Sequence, residues 1–193
     1  MPVRNILSGL VSWLKNQKEK KALLKKTPLL FIIVFTLIFS SCRPAQNDHF
    51  AIYLLSQDIP AAELSHTDIG QLVLESEPLL LDNDIVSYDK TSHSIELTRA
   101  AFNRIQEVFT LPVKVDGVPF VVCVGAERIY TGAFWTPLSS ISYDGVVIMQ
   151  PFDPEKTIIQ IALGYPVPSV FTGNDPRADL RITKALEQDR KLK

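Results

Sequence analysis

Apolar residues follow two different patterns along this chain. From Leu29 to Phe39 (LLFIIVFTLIF) they run on with a single hydroxyl among them. Beyond Phe50 the apolar runs are short, rich in branched and aromatic residues, and separated by turn formers. FAIYLLS at 50–56, GQLVLES at 70–76, HSIELT at 93–98, IYTGAF at 129–134, GVVIMQP at 145–151 and TIIQIALG at 157–164 read as strands. VKVDGVPFVVCVG at 113–125 reads as a hairpin, because Asp116-Gly117 supplies the positive φ angles of a tight turn.

Helical spacing is rarer. Thr98 is a good N-cap, and RAAFNRIQEVF after it spaces Phe102, Ile105 and Phe109 along one face until Pro112. In PLLLDNDIVSYD, Asp82 or Asn83 is expected to cap a short helix ending near Tyr88. Asp175 and Pro176 are expected to open a last helix whose buried face carries Ala178, Ile182, Ala185 and Leu186. Many strands with few helices predict an α+β fold: an antiparallel or mixed sheet with helices on one face. The expected organisation is a targeting segment over 1–41, a tether over 42–49 and a single domain over 50–193.

Charge separates the front of the chain from the rest. Residues 1–28 hold seven Lys/Arg against one acid, Glu19. The whole chain has 20 basic and 21 acidic residues, so thirteen basic and twenty acidic residues remain for the other part, a net of −7. A basic front suits the cytoplasmic face of a membrane and anionic lipid. An acidic domain argues against nucleic acid as a partner, because neutralising phosphates takes a basic surface. The apolar run has eleven residues. That is shorter than the roughly 20 a bilayer span needs and suits the core of a signal peptide. Ile6, Leu10, Trp13 and Leu14 also fall near one face of a possible surface helix before it.

The run ends in FSSC, with Cys42 followed by Arg-Pro. This segment resembles the lipobox of bacterial lipoproteins, in which a cysteine after two small residues becomes the acylated first residue of the mature protein. Phe39 stands where Leu is usual. The resemblance implies a fatty acyl anchor on Cys42, such as palmitate, and a domain outside the cytoplasm held at the cell membrane or outer membrane. The alternative is an uncleaved signal anchor with an idle thiol. Cys123, in FVVCVG, reads as a small buried hydrophobe.

Pro78 to Phe134, about a third of the chain, presents PLLLDNDI, SIELTRAAFNRIQEV and VDGVPFVVCVGAERIYTGAF in that order. The sequence of short strand, strand ending in Leu-Thr, helix and glycine-led apolar strand resembles the head of the first periplasmic domain of SecD-type translocase subunits. The resemblance implies a ferredoxin-like sandwich outside the membrane and contact with polypeptides or envelope partners. It brings no catalytic residue.

Candidate chemistry is sparse. His49, His66 and His93 are the only histidines, and none completes a paired metal-ligand spacing with Asp68, Asp82, Asp84 or Asp89. No cofactor or metal is therefore expected. Ser139 and Ser140 near Asp144 could serve a small hydrolase, but no nucleophile elbow surrounds them. The loop WTPLSSISYDG reads better as a recognition surface, with Trp135 and Tyr143 as its exposed aromatics and Ser139 and Ser140 as its hydroxyls. Arg177, Arg181 and Lys184 share a face of the expected last helix and form a candidate anion-binding strip. The expected function is a membrane-anchored, extracytoplasmic, non-enzymatic binding module of the cell envelope. A small hydrolase and a structural accessory subunit are the alternatives.

Overall fold

A computed structural model describes residues 48–193 apart from Leu111. The expected targeting segment over 1–41, with the residues 6–14 read as a surface helix, the lipobox-like FSSC with Cys42 and most of the expected tether lie outside the described residues. The described residues belong to one compact unit.

Eight strands form one mixed sheet: β1 (Phe50–Leu54), β2 (Leu80–Leu81), β3 (Ile85–Asp89), β4 (Ser94–Leu97), β5 (Val118–Val124), β6 (Glu127–Trp135), β7 (Tyr143–Met149) and β8 (Ile158–Tyr165), with helices α1 (Arg99–Val108) and α2 (Leu180–Gln188). The strand order is β2-β1-β5-β6-β7-β8-β4-β3. Every pairing is antiparallel except β6 with β7. The fold is thus α+β, mostly sheet.

The two end strands of this sheet, β2 and β3, are joined by the single 3-10 turn Asp82–Asp84. Strands lie about 4.8 Å apart, so a flat sheet of this size would separate its ends by roughly 34 Å. Three extended residues reach only about 10 Å. The sheet must therefore curl until its ends nearly meet. Both edges are also short or covered: β2 has two residues, and the Tyr88 backbone exchanges hydrogen bonds with Lys191 and Lys193 of the C-terminal tail. That blunts edge-to-edge association.

Strand alternation sorts side chains to two faces. On one face Phe120, Val122, Phe134, Val146, Ile148, Ile95 and Leu97 pack with Phe102 and Ile105 of α1 and Ile182 and Leu186 of α2. Both helices thus lie on the same side of the sheet, as expected. On the other face Val121, Cys123, Ala133, Trp135 and Val147 pack under the 3-10 segments Ala61–His66 and Ile69–Gln71.

Four local expectations are corrected. GQLVLES is not a strand: its pairing stops at one isolated bridge, Leu55 to Leu74, flanked by backbone hydrogen bonds of Val73 and Glu75 with Ser56 and Leu54, and the Leu72 carbonyl before that bridge accepts from the Arg128 guanidinium. Val113–Val115 is not a hairpin arm, because β1 and β6 already occupy both sides of β5. Gly117 does adopt the left-handed φ of +83° that its turn was read to need. IVSYD is strand β3, not a helix, with a bulge between Ile85 and Ser87. The last helix starts at Leu180 under Asp179, whose carboxylate accepts from the Arg181 amide. Asp175 and Arg177 instead grip one another, and the Arg177 guanidinium reaches the Ile161 carbonyl at 2.8 Å.

Candidate functional site

The parallel pair β6–β7 is linked by Thr136–Ser142, short for a connection that usually takes a dozen residues or more. The Tyr165 hydroxyl donates to the Ser139 carbonyl at 3.0 Å, and Ile141 N–H donates to the Ser139 hydroxyl at 3.1 Å. This is the loop read as a recognition surface, and its aromatics are not exposed. Trp135 is 1% and Tyr143 8% exposed. Their rings lean toward each other along the sheet and stack, 5.0 Å between centroids at 10°. Two large apolar faces bury more surface against each other than either could against a polar loop. Ser139 is buried as well, and Ser140 is exposed. The large apolar side chains that the loop shows to solvent are Leu138 and Ile141.

A groove opens beside this loop. Pairing between β6 and β7 covers only Gly132–Trp135 with Val146–Met149. Upstream the strands diverge, and the cause is local. Tyr143 stays paired with Tyr165 of β8, and the register shifts between Tyr143 and Val146. A bulge of this kind bends its strand. Gly145 permits it: a Cβ there would fall 2.4 Å from the Tyr143 ring. Ile129, Tyr130 and Thr131 on one bank and Tyr143 and Asp144 on the other therefore line an open cavity of about 360 Å³. Asp144 also accepts from the Thr172 amide at 2.8 Å and hydroxyl at 2.7 Å, which brings Phe171 and Asn174 to the rim. Burial, then the nearby Asp144 charge, pushes the Tyr143 phenol up to about 12.

The residues are thus split into two groups. Trp135, Ser139 and Tyr143 form the support of the loop, with Tyr143 also at the groove. Arg177, Arg181 and Lys184 do not assemble into a strip. Arg177 precedes α2 and is taken by Asp175, and Arg181 is shared between Asp179 at 2.7 Å and Glu127 at 2.9 Å. Of these three, Lys184 alone makes no ion pair among the described residues.

Among the described residues no histidine side chain hydrogen-bonds a serine hydroxyl. The Tyr88 hydroxyl and His93 Nδ1 share a hydrogen bond of 2.8 Å, His66 is exposed, and His49 Nδ1 pairs with the Asp82 carboxylate. This last pair is one that sequence reasoning missed. Asp189, the C-cap of α2, completes it: one ligand-type atom from each of His49, Asp82 and Asp189 lies within 4.8 Å of the other two. Burial pushes the Asp82 carboxyl up, but hydrogen bonds from His49, Asp189 and the Asn83 amide outweigh it and leave it below its ordinary value. Burial, then the facing Asp82, holds Asp189 above its own.

Comparison with family models, with curated proteins and with solved structures gave no match to this chain. Among the described residues no helix is long and apolar enough to cross a membrane.

Proposed function

We propose that this chain is a lipid-anchored binding module of the bacterial cell envelope, held outside the cytoplasm through Cys42, and that it takes an extended polypeptide segment in the splay between β6 and β7. The observation that carries the reading is the incomplete β6–β7 ladder. Tyr130 and Thr131 are paired to β5 on one side, Ile129 is the extra residue of a bulge in that pairing, and the other side of all three lies beyond the β7 ladder and lines the groove. An added strand gains main-chain hydrogen bonds there, and side-chain pockets on alternate residues give selectivity. The Tyr143 and Phe171 rings offer apolar contact at the rim, and Thr131 and Asn174 offer hydrogen bonds.

Two sequence resemblances support the setting. The lipobox-like FSSC supplies the anchor, and the short stretch between Cys42 and Phe50 keeps the domain close to the bilayer. The SecD-type likeness over Pro78–Phe134 supports polypeptide as the ligand class. Within that stretch β4, α1, β5 and β6 follow in strand–helix–strand–strand order, but β4 pairs with β3 and β8 and not with β6, so the ferredoxin-like sandwich is not carried over to this segment. The partner is an envelope protein or peptide, and the activity is binding, not catalysis.

A displayed library of random peptides, panned on the wild type, tests the groove. Enriched peptides should lose at least about tenfold in affinity on a folded Thr131→Trp variant, the loss of roughly one good contact. They should also slow amide exchange at Ile129–Thr131. Peptides that bind both proteins equally, or that protect only other segments, would sink the strand-addition reading. The anchor is tested separately: Cys42→Ser should leave an unprocessed form that takes up no acyl label, and a mature wild-type protein starting elsewhere than Cys42 would rule it out.

A further inference from the structure

The His49–Asp82–Asp189 cluster lies away from the groove and is not used by the reading above. Its three members come from distant parts of the chain. His49 stands at the entry to β1, Asp82 in the turn that joins the two ends of the sheet, and Asp189 at the C-cap of α2. Each is aimed by its own local structure. The Asn83 amide donates to Asp82 Oδ1 at 2.8 Å, which leaves Oδ2 turned toward His49. Asp189 is fixed by the stop of α2, where Arg190 takes a left-handed φ of 57° and the Lys191 amide returns to the Leu186 carbonyl. The β1 entry is held by the Gly125 amide, which donates to the His49 carbonyl at 2.9 Å.

Charge makes the arrangement unusual as a purely structural one. Asp189 occupies the negative end of a helix, where a carboxylate is disfavoured. Asp82 is 5% exposed and faces that second carboxylate. Among the described residues neither makes an ion pair with a lysine or arginine. An imidazole nitrogen with two carboxylate oxygens is a donor set for a first-row divalent ion, at about 2.0–2.2 Å per ligand. Atoms already within 4.8 Å of one another need only small side-chain adjustments to meet such an ion. His49 is half exposed, so the site has an entrance and room for water as a remaining ligand.

We infer that His49, Asp82 and Asp189 form a three-ligand site for a divalent transition-metal ion of the zinc type. The bound ion ties the first residues of the folded unit and its last helix to the turn that closes the curled sheet. Such a tie acts as a staple at the point where the tether enters the domain.

The test uses the metal-free full chain in detergent, with Zn²⁺ for affinity by equilibrium dialysis and Co²⁺ for its visible absorption. One Zn²⁺ per chain is expected, with a rise in the unfolding temperature. His49→Ala and Asp189→Asn should each weaken it by at least about tenfold, the effect of disturbing even an outer partner of a metal ligand. Asp189→Asn keeps the side-chain shape, so its near-ultraviolet circular dichroism reports whether the fold is intact. His66→Ala, an exposed histidine elsewhere, should bind as the wild type does. Co²⁺ should give the ligand-field bands of a nitrogen–oxygen site without a thiolate charge-transfer band. Absence of stoichiometric Zn²⁺ uptake at 100 μM (on the order of the weakest site worth the name) would overturn the inference. So would equal affinity in a folded Asp189→Asn variant, or a thiolate band that places the ion on a cysteine.

Discussion

Replacing Trp135 by alanine probes the packing behind the groove. The indole is 1% exposed, stacks on Tyr143, and meets Tyr165 at 5.7 Å between centroids. Truncating such a ring costs about 3–5 kcal/mol in lost transfer energy and cavity. The stack adds roughly 0.5–1.5 kcal/mol of geometry-specific attraction to what is lost. One contribution runs the other way. Trp135 Nε1 is buried without a hydrogen-bond partner among the described residues, and an orphaned donor costs about 1–3 kcal/mol in the native state. Truncation relieves that cost. The expected net loss for Trp135→Ala is about 3–4 kcal/mol. For Trp135→Phe the relief of the orphan and the smaller cavity nearly cancel, so the loss should stay within about 1 kcal/mol. Urea unfolding followed by far-ultraviolet circular dichroism, with slopes equal to wild type, measures both. An alanine variant that loses less than about 1.5 kcal/mol would show that the ring is surface, as the sequence alone suggested. A phenylalanine variant as damaged as the alanine one would show that Nε1 finds a partner.

Two further outcomes follow from burial and charge. Cys123 is 3% exposed, and burial raises its thiol pKa, so native protein should react with a thiol reagent at least about 100-fold more slowly than protein in urea; equal rates would place the thiol at the surface. The Arg177 guanidinium, bonded to Asp175, holds that carboxyl below its ordinary value against the opposing effect of burial. A carboxyl lowered on folding contributes stability that is present above its unfolded pKa of about 3.9 and disappears as pH falls through the folded one. Asp175→Asn should therefore be less stable than wild type at pH 7, and the gap should close as pH drops below about 4. A gap that is constant with pH would mean that the pair contributes through shape alone.

The elements that could be read from sequence are those whose stability is decided locally or by simple alternation. Thr98 caps α1 as its position suggested, accepting from the Ala101 amide at 3.3 Å, and Phe102 and Ile105 are fully buried. FVVCVG and VVIM each face two cores, so they are apolar at every position. The errors have a common origin in long-range competition. Val113–Val115 has the composition of a strand but no free edge to join. Asp175-Pro176 has the chemistry of a helix start, yet Arg177 is drawn off to β8 before a turn can form, and Asp179 takes over four residues later.

The same competition hid the chemistry. In WTPLSSISYDG, aromatics and hydroxyls at a loop are compatible with a recognition surface or with a scaffold for one, and only the second face of the sheet decides between them. That face needs large side chains beneath the Ala61–Gln71 segment, and Trp135 and Tyr143 supply them. The groove, by contrast, follows from Tyr-Asp-Gly-Val, four residues whose bulge has no signature unless the partner strands are known. The His49–Asp82–Asp189 cluster is further from sight. Its members are 33 and 107 positions apart along the chain, and no motif spacing links them. They meet because β2 and β3 are both ends of one sheet and neighbours in sequence. The turn between them must close the curl, and the start of β1 and the end of α2 border that closure. A spacing rule searches along the chain, whereas this site is set by the ring that the sheet makes of itself.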